Sequence, residues 1–228
     1  MEQRRHADVT TRAATATTTP GATLDTEAAK VLRNTYALLG MTVAFSAVTA
    51  GISMAINMPF LGLWMLLPYF GFLFAIHKTQ DSAWGLVWTF ALTGFMGLTI
   101  GPILNAYIAM GGLQPVLMAL GGTAVIFFGL SAYTLVTKRD FSFMTGFLFV
   151  GILVAFIAAI ANYFLQISAL GTTVSVMFLF LASGLIMWQT SAIVHGGERN
   201  YISATVTLYV MLYNIFLSLL HLIGLADD

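Results

Sequence analysis

From residue 34 onward the chain is a succession of long apolar segments separated by short polar breaks, with no strand-like alternation of apolar and polar positions. Each segment runs roughly 18 to 25 residues, the length at which an α-helix crosses about 30 Å of hydrocarbon. Seven helices are predicted, over 34–56, 60–76, 84–103, 115–136, 141–164, 173–194 and 204–223, with breaks such as 57–59, 77–82, 138–140 and 195–200. A closed β-barrel also satisfies its backbone in lipid, but its strands must alternate, and these runs do not. The expected fold class is therefore all-α: a polytopic membrane protein whose seven transmembrane helices form one bundle over residues 31–228. Residues 1–30 stand apart. They are rich in Thr and Ala, hold Pro20 and Gly21, and lack an apolar run, so a disordered cytoplasmic tail is expected. The charged start followed by a Thr/Ala stretch does not suit a secretory signal, and Glu2, Asp8, Asp25 and Glu27 argue against a transit peptide despite Arg4, Arg5 and Arg12.

Composition sharpens this picture. The chain is 59% hydrophobic and only 8% charged, against about 25% charge in soluble domains. Nine basic and nine acidic residues cancel, which leaves no field to attract a nucleic-acid backbone. Cysteine is absent, so disulfides, thiolate nucleophiles and cysteine-held metals are excluded. Arg4, Arg5, Arg12, Lys30 and Arg33 precede the first helix, Lys78 follows the second, Lys138 and Arg139 the fourth, and Arg199 the sixth. All nine thus fall on one side, which the positive-inside rule makes cytoplasmic and which puts Asp227 and Asp228 outside.

No Asp, Glu, Lys or Arg lies in the middle of a predicted helix, so polar chemistry in the membrane rests on neutral groups. The third helix places Thr89, Thr93, Gly97, Gly101 and Asn105 at four-residue intervals. Ala155, Ala159, Asn162 and Gln166 share a face of the fifth, and Thr207, Met211, Asn214, Ser218 and His221 follow heptad spacing on the seventh. Such polar seams either pack helices closely through interhelical hydrogen bonds, the reading preferred here, or line a central polar cavity. The motif His195-Gly196-Gly197-Glu198 closes the sixth helix, with the glycines as terminators and His195 in the last turn. One His and one Glu are too few ligands for a metal, and no cofactor is expected. Neither a nucleophile with its base nor a glycine-rich phosphate loop can be assembled, so a non-enzymatic role is expected.

Several runs carry a resemblance: WQTSAIVHGGERNYISATVTLYVMLYNIFLSLLHLIG over 188–224, KVLRNTYALL over 30–39, LTGFMGLTIGPILNAYI over 92–108 and GGTAVIFFGLSAY over 121–133. Together they resemble the Bax inhibitor-1 family of seven-helix membrane proteins. The resemblance implies a central helix surrounded by the others and no classical enzymatic activity. For the bacterial members it implies residence in the inner membrane and association with the membrane-bound AAA protease FtsH. The protein would be both substrate and modulator there, affecting membrane-protein quality control, with the amino-terminal tail as the handle. For other members it implies a pH-sensitive calcium leak using one carboxylate on the sixth helix and one on the seventh. By position these fall on Gln189 and Met211, so both acids are missing from this chain. Paired carboxylates raise one another's pKa and make a proton-dependent latch, whereas an amide and a thioether do not titrate. The expected function is therefore a non-enzymatic FtsH modulator whose other partner is the lipid bilayer. A pH-sensitive calcium or cation leak is the alternative.

Overall fold

The computed structural model describes residues 26–226. The predicted tail lies outside the described residues as far as residue 25, while residues 26–30, assigned to that tail from sequence, are already helical. Seven α-helices follow in order: α1 (Thr26–Ala55), α2 (Leu66–Thr79), α3 (Ala83–Gly111), α4 (Gln114–Thr137), α5 (Thr145–Leu165), α6 (Ser168–Val194) and α7 (Tyr201–Ala226). Short 3₁₀ turns at Gly62–Met65 and Ser142–Met144 lead into α2 and α5. Among the described residues there is no strand.

Six of the helices have the length and apolarity to cross a membrane by themselves; α2, with 14 residues, does not. It rises about 21 Å. The 3₁₀ turn ahead of it adds about 8 Å, which brings the pair close to the hydrocarbon thickness of about 30 Å. Gly62 initiates that turn with φ +57, and a Cβ there would stand 2.8 Å from the Tyr163 hydroxyl of α5. Positive φ and this close approach both exclude a larger residue.

The predicted end of the third helix at residue 103 is corrected: α3 runs on to Gly111, with Pro102 inside it. Proline has no N–H, so the carbonyl four residues earlier loses its helical donor. That carbonyl belongs to Leu98, and it accepts a 2.7 Å hydrogen bond from Ser53 Oγ of α1. Gly101 and Gly97 present bare backbone to Ser53, Ser46 and Thr49 on the same helix, and this lets α1 lie close along α3. Helix continuity through Pro102 is thus a tertiary effect, supplied by the neighbour.

α7 runs through the middle of the bundle, packed against α1, α3, α4 and α6. α2 flanks α3, and α5 flanks α6. α2 and α5 meet where the Phe70 and Phe156 rings lie edge to face at 6.1 Å. The main core gathers Leu38, Leu92, Ile186, Ile202, Leu208 and Ile215 around α7. Large apolar side chains also face outward, among them Phe149 (72% exposed) on α5 and Phe74 (64%) on α2. An outward surface of this kind is solvated by lipid. Charged side chains gather at helix ends and in loops: Glu27, Lys30 and Arg33 begin α1, Lys78 lies in the last turn of α2, Asp81 lies between α2 and α3, Lys138, Arg139 and Asp140 follow α4, and Glu198 and Arg199 precede α7. The chain is a multi-pass, all-helical membrane protein.

Candidate functional site

The three predicted polar stripes do not merge into one seam. On α3, Thr89 and Thr93 turn their hydroxyls back to the carbonyls of Gly85 (2.8 Å) and Phe90 (3.3 Å). Asn105 crosses to α1 instead, donating from Nδ2 to the Met54 carbonyl at 3.1 Å and to Asn57 Oδ1 at 3.4 Å. With Gly97 and Gly101 it forms the α1–α3 contact. On α7, Asn214 donates to the Val210 carbonyl of its own helix at 2.7 Å, Ser218 is buried, and Met211 packs against the main core. Asn105 thus takes part in helix packing, whereas Thr89, Thr93 and Asn214 bond within their own helices. A mid-helix hydroxyl or amide without an acceptor on a neighbour finds the i−3 or i−4 carbonyl of its own turn.

Asn162, Gln166 and His221 do come together, at the turn between α5 and α6. They line a cleft of 630 Å³ with Tyr163, Ser168 and Gly171. Gln166 is not in an internal seam. It is the exposed, left-handed residue that ends α5 (φ 52), its N–H bonded to the Asn162 carbonyl at 2.8 Å. Asn162 Oδ1 accepts the Ile167 N–H at 3.1 Å and so stops the helix. His221 Nδ1 stands 3.4 Å from the Tyr107 hydroxyl of α3, and its Nε2 is buried with no partner in the protein.

Other interior polar groups that pair across helices, Ser46, Tyr209 and Tyr213, were not singled out from sequence. Ser46 Oγ of α1 and the Tyr209 hydroxyl of α7 are 2.6 Å apart, and Tyr209 donates to the Thr93 carbonyl at 3.3 Å. One turn on, the Tyr213 hydroxyl lies 3.3 Å from Thr99 Oγ1. Tyr209 and Tyr213 recur at i and i+4, which was a legible sign that one face of α7 carries hydroxyls. The position where the resemblance implies a carboxylate holds Gln189, 2% exposed, with its Nε2 unpartnered in the protein. Thr190 Oγ1 beside it and Thr35 Oγ1 on α1 are likewise buried and unpartnered, while the Thr35 carbonyl accepts from Thr205 Oγ1 of α7 at 3.2 Å.

At the end of α6, Gly196 adopts φ +73, its N–H bonds to the Ile193 carbonyl at 3.2 Å, and the Gly197 N–H bonds to the Ala192 carbonyl at 2.8 Å. This is the Schellman arrangement, in which a left-handed residue turns two orphan carbonyls inward. His195 Nδ1 donates to the Ser191 carbonyl at 2.9 Å. Glu198 and Asn200 then start α7. Asn200 Oδ1 accepts the N–H groups of Ile202 (2.9 Å) and Ser203 (3.2 Å), and Glu198 accepts from the Asn200 N–H and Ser203 Oγ. Asn200 Nδ2 reaches the α2–α3 loop, donating to the Gln80 carbonyl and Asp81 Oδ1 at 3.1 and 2.9 Å. An asparagine just ahead of an apolar run is an N-cap signal, and it went unread. In the α4–α5 loop, the Ser142 N–H donates to Asp140 Oδ1 at 2.8 Å, which holds that exposed carboxyl below its usual range. Among the described residues, no three His, Asp or Glu cluster as metal ligands.

Residues 28–228 match the family described as "Inhibitor of apoptosis-promoting Bax1". The chain is 50% identical over 199 residues to the "Modulator of FtsH protease YccA" of Escherichia coli K12, covering 87% of this chain and 91% of that protein. The same identity and coverage hold for the "Inner membrane protein YccA" of Escherichia coli O6:H1. An uncharacterized membrane protein of Vibrio cholerae is 45% identical over 209 residues, or 90% of this chain and 93% of the relative. The resemblance found in the motifs therefore extends over the whole bundle, and the chain belongs to the Bax inhibitor-1 family.

Proposed function

We propose that this protein is a non-enzymatic modulator of the membrane protease FtsH, seated in the bacterial inner membrane with its amino terminus in the cytoplasm and its carboxyl terminus outside. The observation that carries the reading is the 50% identity, over 91% of its length, to a relative named a modulator of that protease. Two features of the chain agree with it. The amino-terminal segment ahead of α1 is polar and unbroken by any apolar run, as a protease handle must be. The interior polar groups are neutral and engage mainly one another and helix backbone, as suits a scaffold.

The leak reading loses its chemistry at the two positions that would carry it. Gln189 is an amide and Met211 sits among core side chains, so neither supplies the negative oxygens a divalent cation requires. The test is co-purification of tagged FtsH from membranes with the full chain and with a variant lacking residues 1–25. The full chain should be retained, and deletion should lengthen its half-life in cells with active FtsH while leaving helix content unchanged. Equal turnover of the two would remove the handle, and failure of the full chain to co-purify would remove the modulator reading.

A further inference from the structure

α1 and α4 both pack on α7 yet stand apart from each other along most of their length, meeting at the Tyr36 and Phe127 rings, whose centroids are 5.7 Å apart. Between them runs a groove of 550 Å³ that opens toward the surrounding lipid. Its walls are apolar side chains of α1 and α4, such as Val43, Leu120 and Phe128, and α7 supplies the floor. The floor hydroxyls of Tyr209 and Tyr213 are paired with Ser46 and Thr99 and leave little to recognise a polar ligand. Gly40 and Gly51 lie on the α1 wall, and a Cβ at either would meet nothing within 4 Å.

The dimensions select the occupant. The α1 wall extends from Tyr36 to Met54, a rise of about 27 Å. Spread over that length, the 550 Å³ open to the centres of water-sized spheres is about 20 Å² in section and about 5 Å across, or about 8 Å from wall to wall once a water radius of about 1.4 Å is added on each side. A helix with its side chains is about 10–12 Å wide and does not fit between the walls. A polymethylene chain enters and gains van der Waals contact along its length. Arg33 is exposed about one turn beyond Tyr36 on the same face of α1, with Lys30 nearly another turn on, so cationic groups stand where the apolar groove ends. A cation at the edge of the hydrocarbon suits a phosphate.

We infer that this groove is a binding site for a single phospholipid, one acyl chain lying between α1 and α4 and the headgroup phosphate at Arg33. The lipid completes the side of the bundle that the helices leave open, and it holds α1 in place through the groove wall.

The full chain, reconstituted with palmitoyl-oleoyl phosphatidylcholine and re-extracted into mild detergent, is washed and its bound phospholipid counted by phosphorus assay and native mass spectrometry. The wild type should retain about one phospholipid per chain. Gly40→Phe with Gly51→Phe directs two rings into the groove from positions where a Cβ meets nothing within 4 Å and should lower retention about tenfold. Gly129→Phe, a glycine on α4 outside the groove that is equally open, should leave retention unchanged. Arg33→Gln should weaken retention several-fold while the groove stays intact. Circular dichroism checks folding, and Ala124→Phe on the opposite wall substitutes if the glycine pair does not fold. Three results overturn the assignment: a wild type that retains no phospholipid, a filled groove that retains as much as the wild type, or lipid-free wild type whose FtsH co-purification is lost on filling the groove. The last assigns the groove to a protein partner, leaving the proposed function standing.

Discussion

Replacing Ser53 by alanine removes the donor to the Leu98 carbonyl that Pro102 leaves without a helical partner. Alanine keeps the Cβ that rests against Gly101, so the change is confined to the hydrogen bond. An unpartnered buried carbonyl costs about 1–3 kcal/mol in general, while interhelical hydrogen bonds in membranes have measured at about 0.6 and at most about 1.7 kcal/mol. A loss of about 1 to 1.5 kcal/mol is expected, at the upper end of the membrane range because Ser53 is wholly buried. The second arm of the experiment is Pro102→Ala. It restores an N–H at residue 102, which bonds the Leu98 carbonyl within α3, and Ser53→Ala on that background should cost only a few tenths of a kcal/mol. The coupling energy of the double-mutant cycle is then about 1 kcal/mol. Unfolding in mixed detergent micelles, followed by helix dichroism, measures all four proteins. Equal cost of Ser53→Ala with and without Pro102 would refute the claim that Ser53 stands in for the missing amide.

Gly97→Ala drives a Cβ into Ser46 and Thr49 of α1 and should destabilise by about 1–3 kcal/mol, whereas Gly71→Ala, open on every side, should stabilise by about 0.5–1 kcal/mol; melting of the two in detergent gives opposite signs if the α1–α3 contact is read correctly. Asn200→Ala removes the cap of α7 and its tie to Gln80 and Asp81 and should cost about 1–2 kcal/mol in the same unfolding assay. Single cysteines at Ser82 and at Gly112, in a chain with no native cysteine, should be labelled from the cytoplasm and from outside respectively, and the reverse pattern would invert the proposed topology. Liposomes holding the wild type should show little calcium entry between about pH 6 and 8, and Gln189→Asp with Met211→Asp should create a pH-dependent leak in that window.

Where sequence and structure agree, one simple physical quantity decides the outcome. Apolar runs marked all seven helices, six of them of spanning length, and α4, predicted over 115–136, is observed as Gln114–Thr137 because Pro115 and the left-handed Lys138 bracket it. Where they part, the cause is a partner distant in the chain. The prediction ended the third helix at residue 103, one residue past Pro102, whose missing N–H ordinarily interrupts a helix. Ser53, 45 positions away from the carbonyl it serves, overrules that signal. The Ser46–Tyr209 pair spans 163 positions, and the i, i+4 recurrence of Tyr209 and Tyr213 marks a hydroxyl face on α7 without naming the helix it meets. Stripe spacing puts Asn105, Thr89 and Thr93 on one face, but it does not tell that Asn105 donates to α1 while Thr89 and Thr93 satisfy themselves on their own backbone. Asn200 was the avoidable omission, since its signal is local.

The confinement of charged side chains to helix ends and loops has an electrical consequence. A full charge carried across a membrane exchanges about 2.3 kcal/mol with each 100 mV of potential. Apart from Glu27, Lys30 and Arg33 at the start of α1 and Lys78 in the last turn of α2, the described helices hold no Asp, Glu, Lys or Arg on which that field can act. Rearrangement of the spans therefore moves almost no gating charge. An energised and a depolarised membrane hold the same bundle, and under the proposed function regulation comes from contacts made at the membrane surface or within the lipid.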